Sequence, residues 1–256
     1  MIYFIPAKKE SKRVKNKNTR VIGGKPLIEW TFESIPKFSR IILSTDDKEL
    51  ISMTPFFSRG IETVLRPSSL CTETAKMSDV LFYHSDRGDF EGEDLVCVLY
   101  PTSPFRTIKH INESIAKWKM EKKDSVLMSV CGVNYRPRGL MTIDPDGALK
   151  FNREDATLWY QTQNMPIDYR ANGAIYLIPP IFIRNRLIDA QLFAKRTIPY
   201  IMNSIDGFEI DEENDVKIAD HLLRIFRFNK IISSSVYASN VSTSVIDPID
   251  ICVSQT

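Results

Sequence analysis

Met1-Ile2-Tyr3-Phe4-Ile5-Pro6-Ala7-Lys8-Lys9-Glu10-Ser11-Lys12-Arg13-Val14-Lys15-Asn16-Lys17-Asn18 is the stretch on which the reading of this chain turns. Met1 to Ile5 is a short apolar run with strand character. Beyond Pro6 it opens into a segment that places Lys8, Lys9, Lys12, Arg13, Lys15 and Lys17 within ten residues. A strand end that opens into a basic loop is where an open α/β sheet binds phosphates. So many cations need either an anionic partner, such as a nucleoside triphosphate, or full solvation. A solvated basic arm is the competing reading, because charge runs commonly are that.

Outward from this run, strands and helices alternate. Strands are expected at Ile2–Ile5, Arg40–Ser44, Glu62–Leu65, Leu95–Tyr100, Ser125–Val130 and Gly173–Ile178. Helices are expected at Leu27–Ile35, Lys48–Phe57 (broken near Pro55), Lys76–Ser85, Ile108–Glu121 and Asp215–Phe228. Such alternation predicts an α/β fold, a Rossmann-like, mostly parallel sheet with helices on both faces. Arg136 to Met165 breaks the rhythm. There Asp146-Gly147, between Met141–Ile143 and Ala148–Phe151, suggests a hairpin. The segment over about 134–170 is read as an excursion from a single domain spanning 1–230, and 231–256 as a tail with no assigned role.

Composition narrows the function classes. The 43% hydrophobic content is enough for a large core, and the net charge is only +2, so the N-terminal cations are a local feature. Lys and Arg form no long stripe, which argues against nucleic acid as a partner. Cys71, Cys97, Cys131 and Cys252 make no CxxC pair, and His84, His110 and His221 show no ligand spacing, which argues against a zinc site. Scattered thiols fit a reducing cytoplasm. The opening apolar run is too short for a signal peptide, and no stretch approaches membrane-spanning length.

One acidic pair carries chemistry. Glu209 and Asp211 alternate around Ile210, so in an extended segment both carboxylates face one side. Such a pair can hold Mg²⁺, with substrate phosphates and water filling its other positions. The alternative is an acidic helix N-terminus, since Asp211-Glu212-Glu213 precedes the apolar pattern of Val216–Phe226. Both can hold at once.

The N-terminal run resembles the A-R-x-G-S-K-x-x-x-x-K-N signature of the cytidylyltransferases that make CMP-activated acidic sugars, the CMP-N-acylneuraminate synthetase family, with the CMP-Kdo synthetases more distant. Ala7, Ser11, Lys12, Lys17 and Asn18 match; Lys8 stands for the family's Arg. Further blocks follow in family order: Gly24-Lys25-Pro26-Leu27-Ile28; Ser44-Thr45-Asp46-Asp47; Arg66-Pro67 with Leu70 and Glu73-Thr74-Ala75; Leu99-Tyr100-Pro101-Thr102-Ser103-Pro104-Phe105-Arg106; Asn172-Gly173-Ala174-Ile175-Tyr176; and Glu209-Ile210-Asp211 with Asp215. The resemblance covers roughly residues 1 to 225.

It implies a nucleotide-diphospho-sugar transferase type of fold, with the excursion serving as dimer contact and sugar pocket. It implies CTP and an acidic sugar as substrates, Mg²⁺ (or Mn²⁺) on Glu209 and Asp211, and a homodimer. Ala7, Lys8, Ser11, Lys17, Asn18, Arg66, Ala75, Pro101, Thr102 and Ser103 then face the nucleotide. Lys8, Lys17 and Asp211 act in catalysis, with Lys25 a weaker phosphate candidate. Tyr100, Arg138, Gln163 and Asn172 fall on the sugar side.

The chain departs from the family where it has Tyr100 for a Gln, Glu209 for an Asp, and Gln161-Thr162-Gln163 where an Arg-Arg-Gln is usual. Arg138 is the expected partner of the sugar carboxylate in place of that missing pair. The expected reaction is CMP transfer to a nine-carbon nonulosonate. Kdo or another nucleotide-sugar reaction is the alternative, and a catalytically silent nucleotide-binding homologue the second.

Overall fold

The computed structural model describes residues 1–57, 60–121, 124–133, 140–143, 145, 147–151 and 167–226. In chain order its elements are β1 (Ile2–Ala7), β2 (Val21–Ile22), β3 (Lys25–Pro26), α1 (Leu27–Glu33), β4 (Ile41–Thr45), α2 (Lys48–Met53), β5 (Ile61–Leu65), α3 (Met77–Asp86), β6 (Val96–Val98), α4 (Ile108–Met120), β7 (Val126–Gly132), β8 (Met141–Ile143), β9 (Leu149–Phe151), β10 (Tyr169–Ile178), α5 (Pro180–Arg184), β11 (Thr197–Met202) and α6 (213–226).

Seven strands form one sheet in the order β11-β7-β10-β6-β1-β4-β5. Strands β1, β4, β5 and β6 are mutually parallel, with Tyr3 opposite Ile41 and Ile2 opposite Val96. β10 runs antiparallel between β6 and β7, and β11 is parallel to β7. The chain leaves β1 for β4 and β5 on one side, then returns to place β6 on the other. The crevice beyond the carboxyl ends of β1 and β6 is thus the topological switch point, where open α/β sheets bind ligands.

The two-residue period of β1 decides which helices cover which face. Tyr3, Ile5 and Ala7 join Ile28 and Phe32 of α1, Leu50 of α2, and Ile111 and Trp118 of α4. Ile2 and Phe4 point to the other face, where they meet Val80 and Leu81 of α3 and Ile183 of α5. All of β1 is buried, as a central parallel strand requires. A third apolar cluster lies beyond the sheet. It packs Val14 from the basic loop, Ile22, Leu27, Phe105 and Ile210 against Val216, Ala219 and Leu223 of α6.

Five elements differ from the expectation, and two of them, β2 and β3, form a short antiparallel pair where a turn was expected. β11 and α5 were not expected; β11 contains Pro199, which argues against a strand, but as an edge strand β11 tolerates it. Strand β10 begins four residues earlier than expected and carries a register shift between Ala171 and Tyr176. β8 and β9 pair antiparallel with Met141 opposite Phe151, as a hairpin would, while Asp146 of the expected turn lies outside the described residues. So do the tail and most of the excursion.

Candidate active site

The basic loop leaves β1 at Ala7, whose carbonyl accepts a 2.5 Å hydrogen bond from Thr45 Oγ1. It is not a solvated arm. Val14, the apolar residue within the charge run, is completely buried in the third cluster. Burying a side chain of this kind stabilises by about 1.5–3 kcal/mol. The Asn18 amide donates to the Lys8 carbonyl at 2.8 Å, and the Asn18 carbonyl accepts from Ile28 N at 3.0 Å, so the loop is closed at its base. Ser11 Oγ accepts from Val14 N at 3.4 Å.

The loop's cations face acids and carbonyls of neighbouring loops. Lys8 Nζ donates to the Thr72 carbonyl (3.2 Å), and Lys12 pairs with Glu73 at 2.6 Å. Lys17 is largely buried, donates to the Ile210 carbonyl at 2.8 Å and lies 3.6 Å from Asp211. Arg13 pairs with the same Asp211 at 3.1 Å. The loop is therefore strapped to the acidic segment, which sequence spacing of almost two hundred residues could not reveal.

The acidic segment has no regular secondary structure and leads into α6. Ile210 is buried and its N–H donates to the Thr102 carbonyl at 2.8 Å, leaving Glu209 and Asp211 half-buried on either side. Thr102 Oγ1 donates to Glu209 Oε1 at 3.2 Å. Burial first, and then the charge of Asp211, push the Glu209 carboxyl up to about 7; Thr102, Arg170 and Lys17 hold it back. Asp215 does the capping instead: its Oδ2 accepts from Asp211 N and Glu212 N at 2.8 and 2.9 Å, reaching back over the start of α6. The helix-start reading thus falls on Asp215, and Glu209 and Asp211 remain as carboxylates facing the basic loop.

No cluster of three or more His, Cys, Asp or Glu suited to a metal occurs among the described residues. A pair of carboxylates fits Mg²⁺ nonetheless, since that ion takes one or two carboxylates when phosphates and water complete its shell. The raised Glu209, with a second carboxylate close enough to disfavour its charge, is the donor set that a divalent cation would relieve.

The floor comes from β6 and β10. Tyr100 packs against Tyr176 with ring centroids 5.4 Å apart, and burial pushes its hydroxyl well above the ordinary range. Gly173, at φ +67°, lets these parts meet: a Cβ there would lie 2.9 Å from Glu209 Oε1 and 3.1 Å from Tyr100 Cδ2. Arg106 is buried without a carboxylate. It donates to the Tyr100 and Ala174 carbonyls (3.1 and 2.8 Å) and to Ser34 and Thr31 of the α1 region, and burial lowers it to about 10.

Several expected ligand contacts are corrected in kind. Asn172 is fully buried: its Oδ1 accepts from Ser129 Oγ (2.5 Å) and Ala174 N (3.1 Å), and its Nδ2 points to Cys131 Sγ. It holds the β10 register shift rather than facing a sugar. Pro101 and Ser103 are likewise buried, and Ser103 Oγ donates to the Asn172 carbonyl, so they build the floor beneath the site. Lys25 is turned away, paired with Glu33 and set 3.7 Å over the Trp30 ring. Ala75 lies half-buried just before α3. Arg138 and Gln163 lie outside the described residues.

Arg66, at the end of β5, is buried; its N–H donates to the Thr45 carbonyl, and its guanidinium donates to Ser44 Oγ at 3.2 Å and to the Ser44 carbonyl at 2.8 Å. The same Ser44 hydroxyl lies 2.8 Å from His84 Nε2, and His84 Nδ1 lies 2.6 Å from Asp89. Sequence reasoning gave His84 no role, because its partners are brought to it only by the fold.

A family model for cytidylyltransferases matches residues 2–232. This chain belongs to the cytidylyltransferase family. It is 30% identical over 233 residues to the CMP-N,N'-diacetyllegionaminic acid synthase of Legionella pneumophila, a match covering 88% of this chain and 97% of that protein. It is 28% identical over 222 residues to the N-acylneuraminate cytidylyltransferase of Escherichia coli O18:K1:H7, covering 86% of this chain and 51% of that protein. The chain thus spans about half the length of the N-acylneuraminate cytidylyltransferases it matches. Among solved structures, the CMP:2-keto-3-deoxy-manno-octonic acid synthetase complexed with CTP shares the fold of this chain. Its TM-score is 0.62 at 13% identity, over 87% of this chain and 97% of that one. No helix among the described residues is long and apolar enough to cross a membrane.

Proposed function

We propose that this cytidylyltransferase transfers CMP from CTP to the anomeric hydroxyl of an acidic nine-carbon 2-keto-3-deoxy sugar, a nonulosonate, with pyrophosphate as the second product. The observation that carries the reading is Lys17 of the basic loop, beyond β1, set on the Ile210 carbonyl and 3.6 Å from Asp211, with the Glu209 carboxyl close enough to feel both charges. The sugar hydroxyl attacks the α-phosphorus and gives its proton to solvent. The bond to the bridging oxygen of pyrophosphate breaks, and Lys8 and Lys17 neutralise the charge that gathers on the leaving group. Arg66 faces the nucleotide, and Tyr100 lies beneath the sugar. Glu209 and Asp211 would hold Mg²⁺, or Mn²⁺, which when bound neutralises phosphate charge and lowers the pKa of an attacking hydroxyl. The chain's part is to position and to neutralise.

The retained Pro101-Thr102-Ser103-Pro104 and the likeness to a legionaminic acid synthase support the sialic and legionaminic branch over the pseudaminic one. We read the excursion as the homodimer contact, because Met141, Ile143, Leu149, Ile167 and Tyr169 are all exposed apolar residues at its described ends.

The test is pyrophosphate release from CTP and Mg²⁺ with N-acetylneuraminate, legionaminate, pseudaminate and Kdo. Release with a nonulosonate, lost in Asp211→Ala, is the expected result. Release with Kdo alone would move the assignment to the eight-carbon acid. CTP binding without release from any sugar would favour a silent homologue, and no CTP binding would overturn the reading.

A further inference from the structure

A continuous polar chain runs from α3 along the face of the sheet that α3 covers, to the carboxyl ends of β4 and β5 at the edge of the site. Arg87 Nε donates to Asp89 Oδ2 at 3.0 Å, and His84 Nδ1 lies 2.6 Å from the same oxygen. His84 Nε2 is 2.8 Å from Ser44 Oγ, which is 3.2 Å from Arg66 Nε. Ser44 and His84 are fully buried, and Arg66 and Asp89 nearly so.

The polarity of this chain follows from its ends. The Asp89 carboxylate can only accept, so His84 carries its proton on Nδ1, and Nε2 of the neutral ring is then an acceptor. Burial, the largest influence on His84, brings it down to about 4, which keeps the ring neutral. Ser44 must therefore give its hydroxyl proton to His84, which turns a lone pair of Oγ toward Arg66. Every donor is used in one direction. With the Ser44 carbonyl on Nη2, two guanidinium nitrogens are committed, and among the described residues Nη1 has no hydrogen-bond partner. Asp46, Cys71 and Tyr100, all on loops at the carboxyl ends of the strands, are the charged or titratable groups that act on this guanidinium from the site.

A buried network of this kind is a costly way to fill a core, where apolar side chains of the same volume stabilise as well or better. Its arrangement makes sense as a means of fixing one side chain.

We propose that His84 is a positioning residue for nucleotide binding: acting through Ser44, it holds the Arg66 guanidinium in the orientation from which Nη1 meets CTP. This rests on the proposed function above. His84 touches no substrate, and its effect reaches the nucleotide only through Arg66.

The experiment measures the dissociation constant of CTP with Mg²⁺, by titration calorimetry, beside kcat and the thermal midpoint. The proteins are wild type, Ser44→Ala, His84→Phe and His84→Gln. Ser44→Ala and His84→Phe should each weaken CTP by about tenfold, the scale of one hydrogen bond to a charged group, with kcat at saturating CTP held. His84→Gln, whose amide oxygen can take the Ser44 proton, should recover part of the loss. In an Arg66→Lys background, Ser44→Ala should cost little more, because its effect passes through the guanidinium. Variants that melt earlier yet bind CTP as wild type does would overturn the proposal, as would a loss confined to kcat. If wild type itself fails to bind CTP, the proposed function falls; if wild type binds and the variants are unaffected, the positioning role alone falls.

Discussion

Gly173 shows how much a single position can carry. Its positive φ strains any side chain placed there, and an added Cβ, 2.9 Å from Glu209 Oε1, would require the Glu209 carboxylate to move. Gly173→Ala should destabilise by about 1–3 kcal/mol, the usual cost of such backbone strain. It should also reduce turnover by shifting Glu209. Urea unfolding and the pyrophosphate assay check both, and an alanine variant with wild-type values in each would show that the Glu209 side chain is free to yield. At this scale the sequence was legible where a residue sits in a motif and illegible where its meaning is a contact. The acidic pair could be read from its two-residue spacing. His84 could not, because Ser44 is 40 positions away and Asp89, though near, is an ordinary acid until the fold buries it. Asn172 misled for the same reason: a polar residue in a motif looks like a ligand contact, and only burial shows it bound into the strand.

At the scale of elements, the basic loop and α6 are one unit. Val14 reaches from the loop into the cluster built by Val216, Ala219 and Leu223, and Gly23 approaches Leu223 so closely that a Cβ there would lie 2.6 Å from its Cβ. Val14→Ala removes two methyl groups from that contact and should cost about 1–3 kcal/mol in urea unfolding. Its larger effect should be on CTP affinity, because the loop's cations are aimed by that anchor; an unchanged dissociation constant would show that the ion pairs alone hold the loop. The alternation of apolar strands and amphipathic helices made most of the sheet legible. β11 was hidden by its proline, and α5 by its brevity and the Pro179-Pro180 pair at its start. The antiparallel course of β10 was hidden for a different reason. Strand direction is fixed by the path of the connection, which no local pattern records.

For the whole molecule, two buried groups set opposing dependences on pH. His84 falls to about 4 from an ordinary 6.5. Between those values the unfolded chain takes a proton that the folded chain refuses, so stability drops as pH falls. Glu209 rises to about 7 from an ordinary 4.5. Across that range the unfolded chain loses its proton first, so stability drops as pH rises. The wild-type profile should therefore be flat in this window. His84→Phe should expose the Glu209 slope, with stability declining toward neutral pH, and Glu209→Gln should expose the His84 slope, with stability declining toward acid. Urea midpoints at about pH 5 and about pH 7 test it, and equal slopes in all three proteins would refute the assignment. On the same scale, Ile143→Asp should shift the proposed dimer toward monomer in sedimentation velocity, by placing a charge on the apolar face of the excursion. A dimer unaffected by it would put the interface elsewhere.

Asp211 is paired with Arg13 and Lys17. The site is then its own counterion, and a triphosphate arriving alone would take the cations and leave the acids without partners. A triphosphate that brings a divalent ion offers a double exchange, as when two salts swap ions: phosphate to Lys17 and Arg13, metal to Asp211 and Glu209. On the proposed function, entry would then be conditional on the pair arriving together. Calorimetry should find CTP bound much more weakly without Mg²⁺ than with it, while Asp211→Asn, which releases the cations in advance, should narrow that difference.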